Sequence, residues 1–143
     1  MKDSIQVELD EPIMYSAKDG EVEGSFVTLK PPTGKQSHIC CELEALIQSS
    51  ITQSAANLPK ELIEQAKDSK QDDDEKIDGP TMMTIINGGG ADMKKFTLLF
   101  IDLFKQVGEI GGEKTLTAPI IERLDHRDLR KMMGEYAVNF VYL

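Results

Sequence analysis

The apolar residues of this chain change their spacing at Pro31-Pro32, and that change limits the fold more than any other feature of the sequence. Before it, Ile5, Val7 and Leu9 alternate with Ser4, Gln6 and Glu8, the period of a strand with one buried face. After it, Ile39, Leu43, Leu46, Ile47 and Ile51 follow helical spacing. Strands that come first and helices that follow imply an α+β fold. The expected architecture is an N-terminal β-hairpin followed by about four helices, with a mainly helical C-terminal half.

Lys18-Asp19-Gly20 suits the hairpin turn, because Gly20 takes a positive φ at no steric cost, and Val22 to Leu29 reads as the returning strand. The apolar phase shifts between Val22 and the Val27/Leu29 pair, which predicts a β-bulge near Gly24. A helix is predicted from His38 to Ala56 with Ser37 as its N-cap, and a short helical stretch carrying Leu62, Ile63 and Ala66 follows Pro59. The run from Lys67 to Asp78, rich in Asp, Lys and Gln, offers almost nothing to bury and is expected to be mobile.

Thr81 to Ile86 can open a helix that Gly88-Gly89-Gly90 should break, because each glycine costs about 1 kcal/mol of helix stability relative to alanine. A hinge is the favoured reading of those glycines. From Asp92, a suitable N-cap, Met93, Phe96, Leu99, Phe100, Leu103 and Val107 form a broad apolar stripe, widened by Leu98, Ile101 and Phe104 and ended by Gly108, Gly111 and Gly112. Thr117-Ala118-Pro119 resembles a helix start, and Asp125 precedes a last helix carrying Leu129, Met132, Met133, Tyr136 and Phe140. The 143 residues suit one domain. Within it the hairpin region is 1–36, a helical region 37–66, the acidic linker 67–79 and a second helical region 80–143.

Acidic residues outnumber basic ones 25 to 16, a net charge of −9 that repels nucleic-acid phosphates and favours basic partners. The adjacent pair Cys40-Cys41 is poorly spaced for a mutual disulfide and suits a reduced compartment. No stretch approaches the roughly 20 apolar residues of a membrane span, and the N-terminus lacks the apolar core of a secretory signal. Action in the cytoplasm is the expectation.

The search for chemistry yields no committed constellation. His38, Cys40 and Cys41 would spread around a helix instead of converging on a metal, leaving His38 on the surface and the cysteines in the core. Gly34-Lys35 is followed by Gln36, where a phosphate-binding loop needs a hydroxyl, and no glycine precedes it at the required spacing. Asp72-Asp73-Asp74-Glu75 lacks the alternate carboxylates and central glycine of a calcium loop. A binding protein is expected, with no enzymatic activity, no metal and no cofactor. The seven methionines, mostly in the helical half, suit core filling or an adaptable protein-binding groove.

Three segments carry a resemblance. They are VELDEPI (Val7 to Ile13), then after the Asp19-Gly20 turn TLKPPTGKQS (Thr28 to Ser37), and LTAPIIERLDHRDLRKMMGEYAVNF (Leu116 to Phe140). Together they resemble the tail assembly chaperones of long-tailed bacteriophages, over about half the chain and at both of its ends. The resemblance implies a protein of the host cytoplasm that coats the tape measure protein and recruits tail-tube subunits. Many members of the family also occur as a longer frameshifted product. Coating an elongated partner calls for several copies, which leaves room for a homo-oligomer. The binding surface expected on this reading comprises Met93, Phe96, Phe100, Phe104, Leu129, Met132, Met133, Tyr136 and Phe140. Neither nucleic acid nor membrane is expected as a partner. The competing readings are an acidic inhibitor that mimics nucleic-acid charge and a structural subunit of the tail.

Overall fold

The computed structural model describes residues 3–54 and 77–142 of the chain. The α+β architecture is as expected. β1 (Ile5–Ala17) and β2 (Gly20–Leu29) form an antiparallel hairpin, and two short strands the sequence did not suggest, β3 (Gly108–Ile110) and β4 (Lys114–Thr115), extend it into a four-stranded meander ordered β1-β2-β3-β4. Five α-helices are described: α1 (Ser37–Ser54), α2 (Gly79–Gly88), α3 (Met93–Val107), α4 (Ala118–Arg123) and α5 (His126–Tyr136). The short helix expected after Pro59 and residues 67–76 of the expected linker lie outside the described residues.

The hairpin forms as read, with Ala17 opposite Gly20 and Gly20 at φ 115°. Its irregularity lies across the ladder from the expected position. Glu8 pairs with Phe26 and Ile13 with Gly24, so the extra residues bulge out of β1, not β2. Gly24 has a different function: a Cβ there would come within 2.7 Å of the Ile110 side chain, so glycine lets the edge of β3 pack close. Val7, Leu9, Val27, Leu29 and Ile110 make the buried face of the sheet.

α1 lays Ile39, Leu43, Ile47 and Ile51 into the core. Its entry differs from expectation, because Ser37 lies inside the helix and Thr33 does the capping. Thr33 and Gln36 form a reciprocal capping box around the short 3-10 turn Gly34–Gln36. Buried Gln36 also donates from Nε2 to Gln106 Oε1 at 3.0 Å, tying that turn to α3.

Residues 77–79, read as the end of a mobile linker, are structured: Ile77 is buried, and Asp78 caps α2 by accepting from the Thr81 N–H at 2.8 Å. The Thr81 side chain first, and then its backbone N–H, hold the Asp78 carboxyl below its ordinary value. The glycine triplet is a packed crossing and not a hinge. A Cβ on Gly89 would fall 2.3 Å from the Ser50 carbonyl oxygen of α1, while Gly90 takes φ 76° to turn the chain into α3. A second close approach joins α2 to α5, where a Cβ on Gly134 would meet the Gly79 carbonyl oxygen at 2.6 Å.

α3 starts at the expected cap, with Asp92 accepting from the Lys95 N–H, and ends at Gly108. Its three phenylalanines stack along the core: Phe96 and Phe100 lie 5.0 Å apart edge to face, and Phe100 and Phe104 lie 5.3 Å apart. Thr117 stands before α4 as read, but its side chain makes no capping bond. Asp125 caps α5 by accepting from the Arg127 N–H at 2.8 Å. The last helix does not continue as α to Phe140. It widens into a π-helical turn over Ala137–Val141, closed by the Tyr142 N–H donating to the Ala137 carbonyl at 2.7 Å, and this turn buries Val138, Phe140, Val141 and Tyr142 together.

Candidate functional site

α5 joins the two ends of the chain through one buried carboxylate. Asp128 is fully buried, and its Oδ1 and Oδ2 accept the backbone N–H groups of Asp10 at 2.9 Å and Glu11 at 3.0 Å. Those donors belong to the bulged stretch of β1, where the ladder with β2 is interrupted. The carboxylate therefore supplies acceptors that the sheet cannot. Sequence reading placed no function on Asp128, and its only local signal was an aspartate in the first turn of a helix. Tyr136, about two turns further along α5, donates its hydroxyl to the Lys30 carbonyl at 2.9 Å just beyond β2, and burial pushes its phenol well above the ordinary value.

The residues expected to bind a partner divide sharply. Phe96, Phe100, Phe104, Met132, Tyr136 and Phe140 are core residues. This corrects the expectation: a stripe as wide as that of α3 is consumed by the sheet, α1 and α5, and Tyr136 packs edge to face on both Phe100 and Phe104. Leu98, expected to widen the buried stripe, instead points outward at 55% exposure. Met93 and Leu129 are half-buried, and with Met133 they line a depression of about 260 Å³ at the junction of α2, α3 and α5. Three of the nine expected residues thus meet at one depression, but Met133 is itself a core residue at 1% exposure, so only Met93 and Leu129 keep accessible surface there.

Residues outside the expected set complete it. Asn87 and Thr97 close the depression, and His126 and Arg130 form its rim. A neighbouring depression of about 300 Å³ begins on the other side of Arg130, lined by Pro80, Met83 and Thr84 of α2 and by Arg127 and Lys131. The two share Arg130 and together form a shallow trough lined by apolar side chains and cations. Arg127 pairs with Asp125 and Lys131 with Asp10, each at 3.5 Å. Arg130 has no ion-pair partner among the described residues. The Asp125 carboxyl is held below its ordinary value, first by the Arg127 backbone N–H.

His38 is exposed, as expected, whereas Cys41 is exposed and Cys40 only half-buried, against the expectation of two core cysteines. α1 turns Ile39 and Leu43 inward, which places the intervening Cys41 on the solvent side. Burial, and then the neighbouring Cys41 and Glu44, push the Cys40 thiol up, which disfavours the nucleophilic thiolate. Among the described residues no group of three His, Cys, Asp or Glu side chains is placed to hold a metal ion. No helix among them is long and apolar enough to cross a membrane.

No family model, curated protein or solved structure matches this chain.

Proposed function

We propose that this protein is a tail assembly chaperone of a long-tailed bacteriophage, acting in the host cytoplasm by binding the tape measure protein and recruiting tail-tube subunits, without catalysis. One observation carries the reading. The first and last of the three segments that resemble such chaperones lie at opposite ends of the chain, yet they pack together, because Asp128 in the last accepts the backbone N–H groups of Asp10 and Glu11 in the first. That the two ends pack together supports the reading.

The trough adds a means of binding. Methionine side chains adapt to irregular apolar partners, and Met83, Met93 and Met133 line its two depressions. A helical partner that exposes apolar side chains before its tube assembles is the kind of client such a surface serves. The test is co-expression with the tape measure protein encoded near this chain, followed by co-purification in low and high salt. A soluble complex that persists in high salt is expected. An insoluble tape measure protein with no bound chaperone would overturn the reading. Binding to a basic protein that vanishes in high salt would favour an acidic inhibitor instead.

A further inference from the structure

On a chain of net charge −9, the trough between α2 and α5 has the opposite polarity. Arg127, Arg130 and Lys131 fall within five consecutive positions and all line it, with His126 beside them. Half-buried Glu135 feels the Lys131 charge, and the carboxylates paired with Arg127 and Lys131 do little to satisfy them. Both ion pairs are long, and they are solvated: the Arg127 side chain is 83% exposed and that of Asp10 is 79% exposed. The two oxygens of Asp128, in the same turn, are already engaged by the N–H groups of Asp10 and Glu11. Met83 lines the depression on one side of Arg130 and Met93, Leu129 and Met133 the other, with Met93 and Leu129 half-buried and Met83 and Met133 reaching the surface only at their edges.

We propose that this trough docks an acidic amphipathic helix of the partner, which seats apolar side chains in the two depressions and places carboxylates on Arg127, Arg130 and Lys131. The dimensions agree. α2 from Pro80 to Asn87 runs about 10 Å at the rise of an α-helix, room for about two turns of a docked helix. Apolar residues one turn apart would straddle Arg130 and enter a depression each, and acidic residues beside them would meet the cationic rim. Charge complementarity selects the occupant: a basic helix would be drawn to the rest of this acidic surface and repelled from this trough. The inference rests on the chaperone reading for the identity of the partner, but not for the chemistry of the segment bound.

The test uses the full chain and two synthetic helices of about 15 residues, near the length at which an isolated helix begins to form in water. Both carry the same leucine and methionine stripe, one flanked by glutamates and the other by lysines. Fluorescence anisotropy should show binding of the acidic peptide only, with amide shifts centred on Asn87, Thr97, Leu129 and Arg130. Arg130→Glu should weaken that binding by about tenfold or more, and Arg130→Gln, which removes the charge from a half-exposed site, by less. Equal affinity for both peptides, shifts centred elsewhere or no binding of the acidic peptide would overturn the inference. So would a dimer of the native chain that Arg130→Glu splits, since a second copy would then be the occupant. If the native chain binds the acidic peptide but not the tape measure protein, the trough stands and the chaperone reading falls. If it binds the tape measure protein but not the peptide, the reverse holds.

Discussion

Replacing Asp128 should loosen the attachment between the hairpin and α5 more than any other single polar change. In Asp128→Ala the N–H groups of Asp10 and Glu11 keep their positions in the bulge and lose both acceptors. A hydrogen bond to a charged group contributes about 1.5–3 kcal/mol, so two would suggest about 3–6 kcal/mol. Asp10 and Glu11 are themselves exposed, so water can rehydrate their N–H groups, and the lower end, about 3 kcal/mol, is expected. Relief of carboxylate desolvation does not cancel this loss, because the donors remain after the acceptor is gone. Asp128→Asn keeps one oxygen but turns an amide NH2 toward the second N–H, so about half the loss is expected. Urea unfolding should show the midpoint falling at unchanged slope, and the melting temperature should drop by about 10 °C for the alanine variant. Asp125→Ala, which removes the half-exposed N-cap of the same helix, provides the scale, and its loss should be the smaller of the two. An Asp128→Ala loss no larger than that of Asp125→Ala would refute the clamp.

Further outcomes follow from the packing and the tyrosines. Gly89→Ala forces a methyl onto the Ser50 backbone and should cost about 1–3 kcal/mol or more in urea unfolding, whereas Gly34→Ala, which meets nothing within 4 Å, should be near neutral. Phe100→Ala should cost about 3–5 kcal/mol, but Leu98→Ala on the same helix should stay within about 0.5 kcal/mol, since Phe100 is fully buried and Leu98 is 55% exposed. The Tyr15 hydroxyl donates to Glu113 at 2.5 Å, and this bond, with burial and the Glu113 charge, pushes its phenol up from 10.0 to about 12. A folded-state pKa above the unfolded value means that this contribution to stability is complete below pH 10 and is lost as pH rises toward 12. Denaturation between those limits, followed at the tyrosinate absorbance, should therefore show stability falling with pH, and Tyr15→Phe should lessen the slope; an unchanged slope would refute the assignment.

Part of the trough was legible in the sequence, and the part that was not shows where periodicity stops being informative. Met93, Leu129 and Met133 were singled out because they lie on apolar stripes, and they do line the trough. Phe96, Phe100 and Phe104 were singled out on the same ground and lie in the core. Periodicity reports that a face is apolar, and it does not report whether another element already covers it. Nothing in its spacing distinguishes Arg130 from an ordinary solvated helix residue, because what sets it apart is the pair of depressions on either side of it.

What the sequence determined by itself was the local structure: a hairpin before Pro31-Pro32, helices after it, caps at Asp92 and Asp125, and a positive φ at Gly20. Each depends on forces that act within a few residues, namely side-chain periodicity, capping hydrogen bonds and backbone sterics. The tertiary structure decided the rest. β3 and β4 are too short to announce themselves and exist because β2 offers an edge to pair with. Gly89 acts through the approach of α1, and the π-helical turn lets four residues of the final turn and Tyr142 share the core. Asp128 became the clamp of the fold because its hydrogen-bond partners, 118 and 117 residues away in sequence, are brought beside it only when β1 and α5 pack together.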